Sequence, residues 1–145
     1  MSTRSVIAVM HGDNYKAVYC HHDGDLGHNG KILFQHYNSA KANHLIALGD
    51  ISSLSEEVEI PEGIEHSYDD PQLDITVFYG RDRGESDVEF RTLPDWESFM
   101  EFFDDCTAEY GYIMKDGVWY FVDGSEVDPT PVPLADALEI YFDEA

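Results

Sequence analysis

The chain has 145 residues, with 30 Asp and Glu against eight Lys and Arg, a formal net charge of -22 and a pI near 4.2. This charge argues against a protein that binds nucleic acid directly, because such binding needs clustered cations that displace counterions from phosphates. A hydrophobic fraction of 43 % and an aromatic fraction of 13 % argue against intrinsic disorder, which accompanies low hydrophobicity. We therefore expect one folded domain, in which residues 1–93 carry mixed charge and residues 94–145 hold 14 acids and one base, Lys115.

The sequence also predicts the compartment. Two cysteines, Cys20 and Cys106, are too few for a disulfide framework. No apolar run approaches the roughly 20 residues that a membrane helix needs, and the first ten residues lack the pattern of a signal peptide. We expect a cytoplasmic protein with no membrane association and no cofactor.

The first 93 residues alternate strand and helix signals. The predicted elements are strands 4–10 and 15–21, a helix from residue 31, a helix over 40–48, an edge strand 56–60, and a strand 74–79 with its partner 87–92. Asn29 is placed to cap the first helix, and Asn38 or Ser39 begins the second. Gly49 ends the second helix in the manner of a C′ glycine.

The last 52 residues predict a helix over 95–105, a hairpin of strands 110–114 and 118–122, and a helix over 134–142. Thr92 and Pro94 resemble the cap and first turn of the 95–105 helix. Its apolar stripe has helical spacing: Trp96, Phe99, Met100 and Phe103. The element order lacks regular βαβ alternation, so it predicts an α+β fold, with about four helices on one face of a mostly antiparallel sheet.

Both C-terminal helices carry rows of acids that have no interleaved bases. The rows are Glu97, Glu101, Asp104 and Asp105 on the first helix, and Asp136, Glu139 and Asp143 on the second. Like charges at this spacing destabilise a helix by a few tenths of a kcal/mol each. One interpretation is solubility alone; the other is a carboxylate surface that imitates nucleic-acid phosphates. Loop acids could extend such a surface: Asp116, Asp123, Glu126 and Asp128.

A segment rich in Cys, His and Asp, residues 20–28, offers a second kind of chemistry. An irregular metal site is a candidate, with His21, Asp23 and His36 as ligands, although the spacing matches no zinc signature. A nucleophile is a further candidate, Cys20 with His21 or His36 as its base. A buried strand cysteine, with the Asp side chains capping turn amides, is the alternative that we favour.

Three of the eight basic residues lie close together, Arg81, Arg83 and Arg91. Arg81, Asp82 and Arg83 follow a predicted strand, where a loop could hold a phosphate or carboxylate ligand. Ion pairs with the many neighbouring acids are the interpretation that we favour for these arginines.

Several motifs together resemble a family of small acidic proteins encoded by bacteriophages and prophages. The motifs are Ser2-Thr3-Arg4-Ser5, Tyr19-Cys20-His21-His22-Asp23-Gly24, His28-Asn29-Gly30 with His36-Tyr37, Leu48-Gly49-Asp50-Ile51-Ser52-Ser53-Leu54, and Tyr79-Gly80-Arg81-Asp82-Arg83-Gly84-Glu85. The resemblance covers about residues 1–90, and His22 stands where relatives commonly have an aromatic residue. It implies an accessory phage protein that acts in the host cytoplasm, and it supplies no catalytic residue.

The leading hypothesis is a phage-encoded, non-enzymatic inhibitor whose acidic helices occupy a basic nucleic-acid-binding groove of a host protein. The target would be a CRISPR effector, a restriction or defence nuclease, or a polymerase. The alternative is a small metal- or phosphate-dependent enzyme or binding domain that uses segments 20–36 and 81–85. A third possibility is an interaction module with aromatic contacts and incidental acidity.

Overall fold

The computed structural model describes residues 3–60, 62–63 and 74–144, with the side chains of residues 143 and 144 outside that description. The strands are β1 Ser5–His11, β2 Asn14–Cys20, β3 Ile51–Ser53, β4 Val77–Phe78, β5 Arg91–Leu93, β6 Tyr110–Lys115, β7 Val118–Asp123 and β8 Val132–Pro133. The helices are α1 Lys31–His36, α2 Ser39–Ala47, α3 Trp96–Asp105 and α4 Leu134–Glu144, and a π-helical turn, Leu26–Gly30, precedes α1. The fold class is α+β in a single domain, as the sequence predicts.

The strands form one mostly antiparallel sheet in the order β4-β3-β2-β1-β6-β7-β8, and β5 pairs with β2 beside β3. The two predicted hairpins, β1 with β2 and β6 with β7, are both present. Two contacts are parallel, the long one between β1 and β6 and a short one between β2 and β3. The first strand of the chain therefore lies near the middle of the sheet.

Helices cover both faces of the sheet, which corrects the expectation of one helical face. Side chains of β1 alternate between two core layers, Ile7 and Val9 in one and Val6 and Ala8 in the other. The first layer contains the buried residues of α1, α2 and α4, and the second contains Phe99 and Phe103 of α3. Because β1 is apolar on both sides, it can accept a helix on each face.

The second helix begins and ends as its sequence predicts. The Asn38 side chain accepts a hydrogen bond from the Lys41 backbone N–H at 2.9 Å and caps α2. Gly49 follows the helix with a φ of +89°, a left-handed conformation that favours glycine. A Cβ at this glycine would lie 2.4 Å from the Val88 carbonyl oxygen, so close packing also requires glycine here.

Two other predicted caps are wrong. Asn29 does not cap α1; it lies fully buried in the π-helical turn, and its amide donates to the Cys20 sulfur at 3.3 Å. Thr92 lies in β5, and Asp95 is the N-cap of α3, where its carboxylate accepts from the Ser98 backbone N–H at 2.8 Å. A polar residue buried by distant contacts and one exposed at a cap look alike in a sequence.

The predicted strand pairing of the middle segment is also wrong. β4 pairs with β3, a three-residue strand that the sequence did not indicate, and β5 pairs with β2. The predicted edge strand 56–60 contributes only an isolated bridge between Glu57 and Ile75. Strands of two or three residues are too short to show the alternation by which strands are recognised.

Candidate functional site

The acidic residues of α3 are exposed because its apolar stripe fixes the helix on the sheet. Phe99 and Phe103 are buried between α3 and the strands, with Trp96 stacked on Phe99 at a centroid distance of 5.3 Å. The hydrogen bond that the Ser98 backbone N–H donates lowers the pKa of the capping Asp95 carboxyl. The four acids of the predicted row are all exposed, and none forms an ion pair with a described residue: Glu97, Glu101, Asp104 and Asp105.

Helix α4 exposes its acids in the same way but buries less of its apolar side than predicted. Leu134 and Leu138 are buried, whereas Tyr141, predicted on the same side, is 40 % exposed. Tyr141 rests over the π-helical turn, where a Cβ on Gly27 would lie 2.8 Å from its hydroxyl oxygen. Asp136 and Glu139 are exposed, and the side chain of Asp143 lies outside the described part of the chain.

The two acidic helices lie on opposite faces of the sheet, so their rows do not lie side by side. α3 packs in the layer of Val6 and Ala8, and α4 packs in the layer of Ile7 and Val9. A single carboxylate surface that spans both helices therefore needs a connection around the edge of the sheet.

The loop between β7 and β8, residues 124–131, provides that connection. It lies between a groove of about 430 Å³ beside α3 and a groove of about 510 Å³ beside α4. Asp104, Glu126 and Asp128 line the α3 groove, and Asp123, Glu126 and Asp136 line the α4 groove. We call these five residues the acidic rim; Glu126 borders both grooves and joins the two sides.

Local contacts hold the beginning of this loop in place. The Asp123 carboxylate accepts from the Ser125 backbone N–H at 2.9 Å and from its hydroxyl at 2.7 Å. The Gly124 backbone N–H donates to the Glu109 carbonyl oxygen at 2.9 Å. A Cβ on Gly124 would lie 2.8 Å from the Phe103 ring, so the loop packs directly against a buried residue of α3. The rim is therefore anchored to the core.

The sequence indicated the rim only in part. Asp104 and Asp136 belong to the predicted rows, and Asp123, Glu126 and Asp128 are among the loop acids. The fourth loop acid, Asp116, lies in the β6–β7 turn, at the opposite end of β7 from Asp123. Glu97, Glu101, Asp105 and Glu139 are exposed without lining either groove. Charge spacing identified the acids, but only the folded loop shows which ones lie together.

The cysteine of the histidine-rich segment is structural. Cys20 is fully buried, accepts from the Asn29 amide, and donates from its thiol to the His22 carbonyl oxygen at 3.6 Å. Burial raises the pKa of the Cys20 thiol to about 12. A nucleophile needs the thiolate, so the hypothesis of a Cys–His nucleophile at Cys20 is wrong. The prediction that Cys20 is a buried strand cysteine is confirmed.

The three candidate metal ligands do not form a metal-binding group among the described residues. The Nδ1 atom of His21 lies 2.5 Å from the Tyr19 hydroxyl, and burial lowers the pKa of this histidine. Asp23 is exposed with a φ of +56°, and His36 is exposed at the end of α1. In the part of the chain that the structure describes, no three His, Cys, Asp or Glu side chains are grouped to hold a metal ion.

The arginines beside β4 make contacts within the fold. Arg81 donates to Asp82 at 2.9 Å, to the Val58 carbonyl oxygen at 2.5 Å and to the Thr76 carbonyl oxygen at 2.9 Å. The Asp82 carboxylate is nearly inaccessible to solvent and also accepts from a backbone N–H, that of Phe78, at 2.8 Å.

The other two arginines of this cluster are paired as well. Arg83 pairs with Glu85 at 2.8 Å, and Arg91 pairs with Asp50 at 2.7 Å. These contacts confirm the predicted ion pairs. The three candidate ligand residues are therefore all engaged with the chain itself: Arg81 with Asp82, and Arg83 with Glu85.

Comparison with protein-family models, with curated proteins and with solved structures gives no match. None of the helices in the described ranges is both long and apolar enough to cross a membrane.

Proposed function

We propose that this protein is a phage-encoded, non-enzymatic inhibitor that acts in the host cytoplasm on a nucleic-acid-handling or defence protein. The target class is a CRISPR effector, a restriction or defence nuclease, or a polymerase. The acidic rim enters a cationic groove of that protein and competes with its nucleic acid. Neither a cofactor nor a catalytic residue takes part.

One observation carries the proposal: Glu126 borders both grooves, so the rim continues from α3 around the sheet edge to α4. The charge density along one acidic helix is lower than that of a DNA duplex. Its turns are about 5.4 Å apart, whereas B-DNA carries one charge per roughly 1.7 Å of axis. A rim with acids from two helices, the end of β7 and the loop that follows it raises the local density of carboxylates.

The ion pairing of the basic residues supports the same proposal. Four of the eight cations, Lys41, Arg81, Arg83 and Arg91, form ion pairs with acids between residues 50 and 85. The acids of the rim form none with described residues. Unpaired carboxylates attract a cationic partner over long distances, which raises the association rate and makes it dependent on salt.

The experiment is an affinity capture from bacterial lysate, in which bound proteins are identified by mass spectrometry and challenged with a DNA duplex. We expect a nucleic-acid-binding protein that is released by the duplex and by added salt. The purified target should lose its DNA binding, measured by fluorescence polarisation, when the wild-type protein is added.

Two matched charge reversals make the test specific. Glu126→Lys with Asp128→Lys changes the rim, and Asp13→Lys with Asp116→Lys makes the same charge change at the other end of the sheet. Each pair contains one residue with a φ near +50°, Asp128 at +51° and Asp116 at +52°. We expect the rim variant to lose inhibition and the control to retain most of it. Equal inhibition by both variants, or capture that the duplex does not affect, would overturn the proposal.

A further inference from the structure

The groove beside α4 is lined by apolar side chains, several of which are exposed to solvent. Val132 is 41 % exposed, Ile140 is 59 % exposed and Tyr141 is 40 % exposed, and all three line this groove. Phe121, which is nearly buried, also lines it. Contiguous exposed apolar surface with a polar border is typical of interaction sites.

The border of the groove determines what kind of occupant fits. Asp123, Glu126 and Asp136 are its charged residues, and among the described residues that line it there is no Lys, Arg or His. Anionic lipids, fatty acids and nucleic acids would be repelled at this border. A second copy of this chain would bring its own net charge of -22 to the contact. A cationic occupant with an apolar side chain can pack against the apolar lining of the groove and pair with the acids at its border.

The edge of the sheet limits how that occupant binds. The groove borders β8, a two-residue edge strand that ends in Pro133 and follows Pro131. Proline has no N–H to donate and interrupts a ladder, so this edge is a poor template for an added strand. Recognition therefore depends on side chains that enter the groove.

We infer that the α4 groove binds a protein segment in which one or two large apolar side chains are flanked by Lys or Arg. The inference rests on the proposed function, since it identifies the part of the inhibitor's target that the rim contacts. The apolar side chain packs against Val132, Ile140 and Tyr141, and the flanking cations face Asp123, Glu126 and Asp136. The apolar contact makes part of the affinity independent of salt, because screening weakens only the ionic part.

Two synthetic peptides of equal charge test the inference. Both are 12-residue Lys-rich peptides; one carries a central Trp-Leu pair and the other carries Ser-Ser there. We expect the full-length protein to bind the Trp-Leu peptide about tenfold more tightly in fluorescence titrations, and the ratio to persist at high salt. Backbone NMR shifts should concentrate at Val132, Ala137 and Ile140.

Variants separate the groove from general electrostatics. Ile140→Ser removes a wall residue that is mostly exposed, so the fold is retained and the preference for Trp-Leu should disappear. Asp116 lies away from the groove, so Asp116→Lys should leave the preference for the Trp-Leu peptide unchanged. If the peptides bind equally, or if the NMR shifts spread over every acidic surface, the inference is overturned.

The two failures are distinguishable. Equal peptide binding, together with a captured target that DNA still displaces, would overturn the groove and retain the inhibitor. A clear preference for Trp-Leu with a captured partner that ignores DNA would retain the groove and overturn nucleic-acid competition.

Discussion

Replacing Arg81 by Met tests whether the arginine loop is structural or free to bind a ligand. The change removes the guanidinium from the nearly inaccessible Asp82 carboxylate and from the carbonyl oxygens of Val58 and Thr76. Breaking a buried ion pair costs about 3–5 kcal/mol, because one charge remains buried without its partner. The Arg81 side chain is 23 % exposed and Asp82 keeps the bond from Phe78, so we expect about 3 kcal/mol.

The assay is urea unfolding, followed by far-UV circular dichroism, with two comparisons. Arg83→Met removes the more exposed pair with Glu85, 31 % and 45 % accessible, and should cost less than about 1 kcal/mol. Combining Arg81→Met with Asp82→Asn removes the buried charge as well. The double variant should therefore be more stable than the sum of the single changes predicts, by about 1 kcal/mol or more.

Specific outcomes would refute this reasoning. If Arg81→Met costs no more than Arg83→Met, or if the double variant shows simple additivity, the guanidinium does not hold this segment together. Such a result, with binding of inorganic phosphate that depends on Arg81, would favour the ligand-binding alternative.

Three further predictions concern cysteine and tyrosine side chains. In native protein at pH 8 we expect iodoacetamide to label Cys106 slowly and Cys20 not at all, because burial raises their pKa values to about 11 and about 12. Peptide mapping measures the labelling, and rapid modification of Cys20 would contradict this prediction. As pH rises from about 9 to about 12, the unfolded chain loses the Cys20 proton while the folded chain keeps it. The free energy of unfolding should therefore fall by up to about 1.4 kcal/mol per pH unit because of the Cys20 thiol. An equally steep fall in the Cys20→Ala variant would show that another group causes the pH dependence. Tyr112→Phe removes the hydrogen bond from the buried hydroxyl to the Gly24 carbonyl oxygen at 2.6 Å. We expect the free energy of unfolding in urea to fall by about 1–3 kcal/mol, and a negligible change would contradict a stabilising role for this bond.

The sequence predicted best the features that are determined over short distances. The α3 stripe of Phe99 and Phe103, the hairpins and the Asn38 cap each depend on a few neighbouring residues, and each is confirmed. The position of α3 on the second face of the sheet was not predicted. It depends on the two apolar sides of β1, and the helices that cover those sides come from distant parts of the chain. Asn29 shows the same limit, since it lies in the π-helical turn while its partners Ser5 and Cys20 lie in β1 and β2.

The candidate site was predictable to a similar extent. Unrelieved acid spacing identified Asp104 and Asp136, yet it weighted Glu97 and Glu101 equally, because a helix periodicity carries no information about grooves. Glu126 became central only through the fold, which brings residues 124–131 around the sheet edge. The exposure of Ile140 in the α4 groove was likewise not predicted, because the helical spacing of α4 indicated only which side of the helix is buried.

The central position of β1 constrains the order in which this protein can fold during synthesis. β1 is complete by residue 11, but its neighbour β6 begins at Tyr110, about a hundred residues later. Until that strand leaves the ribosome, the β1–β2 hairpin exposes an apolar, unpaired edge in the nascent chain. Such long-range pairing folds slowly and leaves intermediates prone to aggregation. Like-charge repulsion between acidic nascent chains opposes their association during that interval.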